Sequence, residues 1–544
     1  MMRRPLLLTL PAAVAAAALL LSGCAAPPPA ARAPLKLTVL HTNDHHGRFW
    51  PNGDGEYGLA ARKTLIDRVR AEVKAEGGHL LLLDGGDVNT GVPESDLQDA
   101  EPDFKAMSML GYDAMALGNH EFDKPIPVLR KQAGWVNFPL LSANIYGADG
   151  KRLFEPYRIF ERGGYKIAVI GLTTDDTAKM VMPANIAGVS FRKPADEAAA
   201  LVPQLRRQAD MVIAATHMGH YTDGRAGVNA PGDVEMARQV SGLDLIVGGH
   251  SQNPVCMLAV NVRNDAYQPG QPCAPDRQNG AWIVQAHEWG KYVGRADFVI
   301  DAGRIELKRY QLLPVNMKLR AADGSKRLAG EAIAEDAAVR AMLEPFQAVG
   351  QARLSAPVGQ SDGVLDGERN RVRSQPTTLG VMVARAMIDK TGADMALVNS
   401  GGVRDSLPAG AISYRDVLKV QPFGNTVAVL TLTGAELLDY LRAAARMTPG
   451  SGAFPQTAGV QMRIVGNQLQ EARIAGQPID LQRRYRLALT NFTASGGDGY
   501  PPMNKHPGYV DTGFADAEVL RGYIAGRSPL KVADYQPGND VTRQ

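Results

Sequence analysis

Seven residues of metal-ligand type, set in five short segments, carry most of the chemistry legible in this 544-residue chain. Asp44 and His46 lie in LHTNDHHGRFW, Asp87 in LLLLDGGD, and Asn119 beside His120 in ALGNHEFD. His217 follows in MVIAATHMGH, and His250 with Gln252 in LIVGGHSQ. Two Asp, three His, one Asn and one Gln suit a borderline or hard divalent cation, not a soft one. The set is large enough for two ions. An aspartate such as Asp87 can offer one oxygen to each of two cations, which holds them about 3.5–4 Å apart for in-line phosphoryl chemistry. Singly, an Asp after a strand is usually a helix N-cap, and a lone His is usually a satisfied core or surface residue. Their coincidence at five segment ends is the signal. Of the ten histidines, only His79, His287 and His506 lie outside these five segments. His45 and His220 read as flanking structural residues. His287, in WIVQAHEWG, has ligand chemistry but reads more readily as structural.

The elements that must position these residues follow from the apolar runs before them. Residues 80–83, 211–215 and 245–247 read as buried parallel strands. Ligands of open α/β sheets gather beyond the carboxyl ends of the strands, so the seven residues are expected to meet at one edge. Over 35–330 such runs alternate with amphipathic stretches, as at 58–75 and 194–208, which argues an α/β sandwich. An Ala-rich segment over 331–349 reads as a helix with Val339, Met342, Leu343, Phe346 and Val349 on one face. Pro345 is expected to kink or end it. Turn-rich sequence at 356–367 opens a second region, with helices at 378–391 and 434–445 and strands at 426–432 and 485–490. The length favours at least two domains. The expected division is a leader at 1–23, a tether at 24–34, a first domain at 35–335, a linker and hinge helix at 336–358, and a second domain at 359–544.

Composition is that of an ordinary globular protein, 45% hydrophobic and 21% charged. The formal charge of +3 drops to +1 when Arg3 and Arg4 of the leader are subtracted, so net charge supports neither nucleic-acid nor membrane-surface binding. Arg3 and Arg4 precede a short apolar stretch at 6–21, the pattern of a secretory leader. It ends in Leu21-Ser22-Gly23-Cys24, which resembles the bacterial lipobox, where the cysteine is acylated and becomes the new N-terminus. An ordinary secretory signal is the alternative. Several acyl chains would give stable anchoring where one would not, and the Ala/Pro-rich tether would stand extended. With Cys24 acylated, Cys256 and Cys273 remain in an oxidising compartment. They are either a disulfide, worth about 3 kcal/mol in the chain-entropy model, or two free thiols.

Taken together, TNDHHGRFW, GGD, GNHEFD, THMGH and GGHSQ resemble the calcineurin-type metallophosphatase superfamily. More narrowly they resemble the bacterial periplasmic 5′-nucleotidase / UDP-sugar hydrolase family, and the likeness continues through SGGVRDS, KVQPFGN and NFTASGGDGYP. The resemblance implies an α/β fold: an N-terminal four-layer α/β/β/α sandwich and a C-terminal α+β nucleotide-binding domain. It implies two divalent metal ions (Zn, Mn, Co or similar). Asp44, His46, Asp87 and Gln252 would hold the first, and Asp87, Asn119, His217 and His250 the second. It makes His120 and Asp123 the catalytic pair; their i, i+3 spacing lets Asp123 orient the imidazole and favour its charged form. It implies that a cation activates the attacking water, and that Cys256 and Cys273 are bonded. It also places the chain in the periplasm, and Ala25 after Cys24 favours anchorage to the outer membrane. The lipobox is a departure, since relatives are often freely soluble there. No nucleic acid and no partner chain is called for; a monomer is expected, touching membrane only through Cys24.

The second region offers arginines, aromatics and glycines. Arg369, Arg373 and Arg404 have guanidinium forks that suit phosphate oxygens. Phe423 and Phe492, each flanked by turn residues, could stack on a base. Asp498 could accept from ribose hydroxyls and Asn425 could read a base edge. From the residues alone, a solvated helix face, two core rings and a β-turn Asp stay open. The resemblance makes Arg369, Arg373, Arg404, Phe423, Asn425, Gly452, Phe492 and Asp498 the nucleotide pocket, tolerant of several bases. It implies hydrolysis of 5′-nucleotides to nucleoside and phosphate, and of UDP-sugars to UMP and sugar 1-phosphate. A 2′,3′-cyclic phosphodiesterase, an NAD pyrophosphatase or a sulfur-oxidation hydrolase is the near alternative, and the aromatic pair argues against the last. A nucleotide-binding surface lipoprotein without turnover is the distant one. It would need neither the ligand set nor the His120/Asp123 pair.

Overall fold

The computed structural model describes residues 32–181, 183–222, 231–321, 324–538 and 541–543. The expected leader, Cys24 and most of the tether lie outside the described residues. No helix among the described residues is long and apolar enough to cross a membrane.

Two six-stranded sheets build the first half. One has the order Arg304–Pro314, Tyr292–Asp301, Leu35–Thr42, His79–Asp84, Ala114–Ala116, Leu140–Leu141. The other runs Asp276–Gln278, Ala281–Val284, Leu245–Val247, Met211–His217, Tyr165–Thr173, Tyr157–Arg162. Alternate residues of each strand face opposite ways. Leu37, Val39, Leu81 and Leu83 of the first sheet therefore meet Ile167, Val169, Ile213 and Ala215 of the second in a shared core. Leu40 and Leu82 point outward onto helices Leu59–Ala75 and Glu101–Leu110. On the far side, Ile170, Val212 and Ala214 meet helices Pro194–Leu205 and Asp233–Gln239. The result is the four-layer α/β/β/α sandwich. Burial on both faces explains why these strands read as unbroken apolar runs. The expected strands at 80–83, 211–215 and 245–247 all have parallel neighbours. They belong to two sheets rather than one.

Helix Ala337–Leu354 follows, started by Asp336, whose carboxylate accepts from Val339 N at 2.9 Å. It begins later than expected and runs through Pro345 instead of ending there. Pro345 sits on the exposed side, while Val339 and Leu343 are fixed in the first core, with Met342 and Phe346 packed against it. Packing of that face outweighs the one lost backbone hydrogen bond. Val349 is 44% exposed, contrary to expectation. The buried stripe continues through Gly350 and Leu354, and Leu354 joins a different core.

That core lies in the second half, around helix Thr378–Thr391 and helix Asp516–Arg527. A mixed five-stranded sheet runs Pro455–Ala458, Met395–Asn399, Arg484–Thr490, Thr426–Thr433, Tyr509–Ala515. Helix Gly434–Ala445 covers its other face with a smaller four-stranded sheet. Both expected helices and both expected strands are present. Cys256 and Cys273 are bonded, which decides between the two alternatives left open for them.

Candidate active site

Every one of the seven ligand-type residues lies at the carboxyl end of a strand. Asp44 and His46 follow Leu35–Thr42, Asp87 follows His79–Asp84, and Asn119 follows Ala114–Ala116. His217 ends Met211–His217, and His250 and Gln252 follow Leu245–Val247. The first four come from one sheet and the last three from the other, so the site straddles the seam between them.

Asp87 is the centre. Its Oδ2 lies 2.9 Å from His217 Nε2, 3.9 Å from His46 Nε2 and 4.0 Å from His120 Nε2. Two sets of donor atoms converge there: His46, Asp87 and His120 in one, Asp87, His217 and His250 in the other. Asp44 Oδ1 is 3.8 Å from His46 Nε2. Gln252 places its amide nitrogen 2.8 Å from that same Nε2. A half-turn of the amide would place Oε1 there, an equally allowed assignment. Asn119 Oδ1 is buried and receives no hydrogen bond. An orphan buried acceptor beside clustered carboxylates and imidazoles is what a bound divalent cation would satisfy, and the mixed N/O set suits it.

The imidazoles differ in their ionisation. Burial lowers the His250 pKa to about 4, helped by the charge of His217, so it is a neutral donor. Burial also acts to lower His217 and His120, but neighbouring carboxylates win. Asp87 lifts His217 to about 9, and Asp123 with Asp87 lifts His120 to about 10. The carboxyl of Asp87 is held far below its ordinary value; burial opposes this, and His217, His120 and His46 overcome it. The second ring nitrogens are fixed by acceptors: His46 Nδ1 pairs with Thr90 O at 2.8 Å and His217 Nδ1 with Gly85 O at 2.7 Å. Both Nε2 atoms therefore face the centre. His120 Nδ1 contacts Asp123 Oδ2 at 2.6 Å, the expected pairing.

The loops are bent hard to do this. Asp44, His46, Asp87, His250 and Gln252, five of the seven, have φ between 51° and 77°. This left-handed region is uncommon outside glycine and recurs at functional sites. Gly118 is required by close approach, because a Cβ there would lie 2.1 Å from Asp87 Oδ1.

Two positioning residues escape the sequence reading. Glu121 is 1% exposed. Its two oxygens accept from the backbone N–H of Asp87, Val88, Asn89 and Gly118 at 2.7–3.2 Å. Asn43 donates to Asp44 Oδ2 at 2.6 Å and accepts from Ala286 N at 2.8 Å. Both bond chiefly to backbone, which no spacing reveals; the available signal was a carboxylate directly after the GNH turn. His45 and His220 are buried against Asp103 and Asp276, each 2.9 Å away. His287 stacks on Tyr292 and joins neither donor set.

In the second half, Arg373, Arg404, Phe423, Asn425, Gly452, Phe492 and Asp498 line one cavity of about 290 Å³, together with Asn399, Gly401 and Gly402. Arg369 is not on its wall. It stands close enough for its charge to lower the Arg373 pKa, after burial and ahead of Arg404. The rings of Phe423 and Phe492 are 57% and 42% exposed, so they are not core rings. Arg404 lies over the Phe423 ring at 5.4 Å, and Asn399 donates to Asp498 Oδ2 at 2.7 Å.

Beside this cavity Asp516 is buried, accepting from Ala517 N at 2.8 Å and Asn425 Nδ2 at 3.4 Å. Burial raises its pKa to about 7. Unfolded, it would ionise near pH 4, roughly the free aspartate value. The folded chain therefore keeps a proton that the unfolded chain releases, and stability falls as pH rises through this window. Asp516→Asn should remove that loss. Its melting-temperature advantage over the native protein is expected to widen from about pH 4 to pH 7; a constant difference would rule out the buried, protonated carboxyl.

The calcineurin-like phosphoesterase model matches residues 37–254, and the 5′-nucleotidase C-terminal domain model matches 357–506. Protein UshA of Escherichia coli (strain K12) is 56% identical over 518 residues, 94% of each chain. The chain belongs to the UshA/5′-nucleotidase family. The 5′-nucleotidase of Vibrio cholerae serotype O1 is 54% identical over 514 residues, 93% of each chain. The crystal structure of a 5′-nucleotidase precursor from Thermus thermophilus superposes with a TM-score of 0.61 at 30% identity, covering 94% of this chain and 99% of that one. As a member of the UshA/5′-nucleotidase family the protein is a hydrolase. Its phosphoesterase domain implies divalent cations, and the His/Asp groups around Asp87 could hold them.

Proposed function

We propose that this protein hydrolyses nucleoside 5′-monophosphates to nucleoside and phosphate with two divalent cations. At the same centre it cleaves UDP-sugars to UMP and sugar 1-phosphate. One observation carries the reading: two donor sets share Asp87, in a chain that also builds a cavity flanked by two exposed phenylalanines and two arginines. Asp44, His46, Asp87 and Gln252 would hold one ion; Asp87, Asn119, His217 and His250 the other. Bound there, divalent cations polarise phosphoryl oxygens and make water a nucleophile at neutral pH.

The chain's own residues do the rest. His120, kept protonated and oriented by Asp123, donates to the transferred phosphoryl group and assists the leaving oxygen. Arg373 and Arg404 bind phosphate oxygens, and Arg369 strengthens the positive field. Phe423 and Phe492 hold the base between them, Asn425 reads its edge, and Asp498 accepts from ribose hydroxyls. Gly452 leaves room for the sugar. The base site and the ligand sets lie in different halves of the chain, so a rotation at 336–358 carries the phosphate to the ligands, a gating step. The Cys256–Cys273 bond suits an oxidising compartment. That supports action outside the cytoplasm, with a lipid at Cys24 as the anchor.

The test is phosphate release across a panel of 5′-nucleotides and UDP-glucose, after chelation and re-addition of single metals. Activity that survives complete chelation, or confinement to non-nucleotide esters, would sink the reading. Within the same assay, Phe492→Ala should raise KM for nucleotides about 10-fold, the scale of one base–aromatic stack, and leave KM for a small aryl phosphate unchanged. Equal effects on both substrates would remove the stacking role.

A further inference from the structure

Thr90 is the sole β-branched residue with left-handed backbone among the described residues, at φ 63°. For such a side chain this conformation is a genuine outlier. Strain of this kind persists only where the surroundings impose it, and it clusters at functional sites. The segment before Thr90 is pinned, because Glu121 takes the N–H groups of Asp87, Val88 and Asn89. The left-handed turn at Thr90 then aims two of its polar atoms at two different parts of the site. Its hydroxyl donates to Asp123 Oδ2 at 2.6 Å, the same oxygen that meets His120 Nδ1 at 2.6 Å. Its carbonyl accepts from His46 Nδ1 at 2.8 Å, which commits His46 Nε2 to the side facing Asp44 and Asp87.

We propose that Thr90 is a positioning residue for the reaction, holding the Asp123 carboxylate against His120 through its hydroxyl while its carbonyl sets the tautomer of His46. Glycine or asparagine would suit the backbone better. Neither has a hydroxyl on Cβ. The residue is therefore explained by its side-chain oxygen and not by the turn. Thr90 touches no substrate in this scheme; it acts through Asp123. The inference rests on the catalytic role given to His120 and Asp123 in the functional reading.

The experiment compares Thr90→Val, Thr90→Gly and Thr90→Ser in the full-length, metal-loaded protein, with a 5′-nucleotide as substrate. Val keeps the shape and loses the hydroxyl; Gly loses it while relieving the backbone; Ser keeps it. Val and Gly are expected to lower kcat about 10-fold, as for loss of a hydrogen bond to a charged group, with KM and metal content unchanged. Ser should recover most of the loss. Gly should melt no lower than the native protein, separating lost turnover from lost folding. Native kcat in both Val and Gly, or a loss in Ser equal to that in Val, would overturn the assignment. A native protein inactive on every nucleotide would overturn the functional reading itself, and this assignment with it. An active native protein with fully active Val and Gly variants would overturn the Thr90 assignment alone.

Discussion

Asp87→Asn is expected to empty both of the proposed cation sites and lower turnover about 10³-fold or more, on the scale seen when one member of a group acting as a unit is removed. The substitution is nearly isosteric and keeps the Asp87 backbone N–H on Glu121, so the loop should hold. What disappears is the one anion within 4.0 Å of three imidazoles, those of His46, His120 and His217. Without it, the proposed set of Asn119, His217 and His250 has no carboxylate left, and that of Asp44, His46 and Gln252 keeps only Asp44. Elemental analysis after dialysis, alongside kcat, gives the answer. Native metal content with depressed turnover would mean that Asp87 does not bridge. Loss of half the metal would mean that it serves one ion alone.

His120→Ala is the second large effect. Turnover should fall about 10²-fold or more, the usual contribution of a positioned acid or base, while metal content stays at the native level. The two readouts separate two roles that the geometry alone allows. His120 Nε2 falls in one donor set with His46 and Asp87, as a ligand would. Its Nδ1 is bound to Asp123 and its side chain is 32% exposed, as befits a group that must reach substrate. Lost metal would make it a ligand; unchanged turnover would remove it from the chemistry.

Much of the site is legible in the sequence because strand ends collect ligands. A ligand-type residue within about three positions of an apolar run's end, repeated five times, needs no knowledge of which strands are neighbours. What is not legible depends on that knowledge. Runs at 80–83 and 211–215 look alike, yet they belong to different sheets, since pairing is decided by packing between residues far apart in the chain. The inner-core assignment of Leu83 and Ile213 against the outward one of Leu82 and Val212 turns on register, which an unbroken apolar run conceals. Pro345 misleads because propensity is a weak prior beside a buried helix face. Glu121 and Asn43 stay hidden because they recognise main chain, whose position only the fold supplies. Arg369 lies off the cavity wall although its charge reaches Arg373, a distinction that four-residue spacing on one helical face does not carry. Nor do turn-rich flanks decide the exposure of Phe423 and Phe492, since Phe122, in a three-residue turn of 3-10 helix, is fully buried.

The four N–H groups gathered by Glu121 bear on how the site meets its ions. A loop that orders only when a cation arrives binds it more weakly by the cost of that ordering. Here the backbone of Asp87 to Asn89, and Gly118 of the neighbouring loop, is tied down by a carboxyl outside the proposed ligand sets, and it is tied as the chain folds. The loops thus lose their freedom before binding begins. On the proposed reading the cage is set by the fold, so different divalent metals would compete for a geometry that none of them creates.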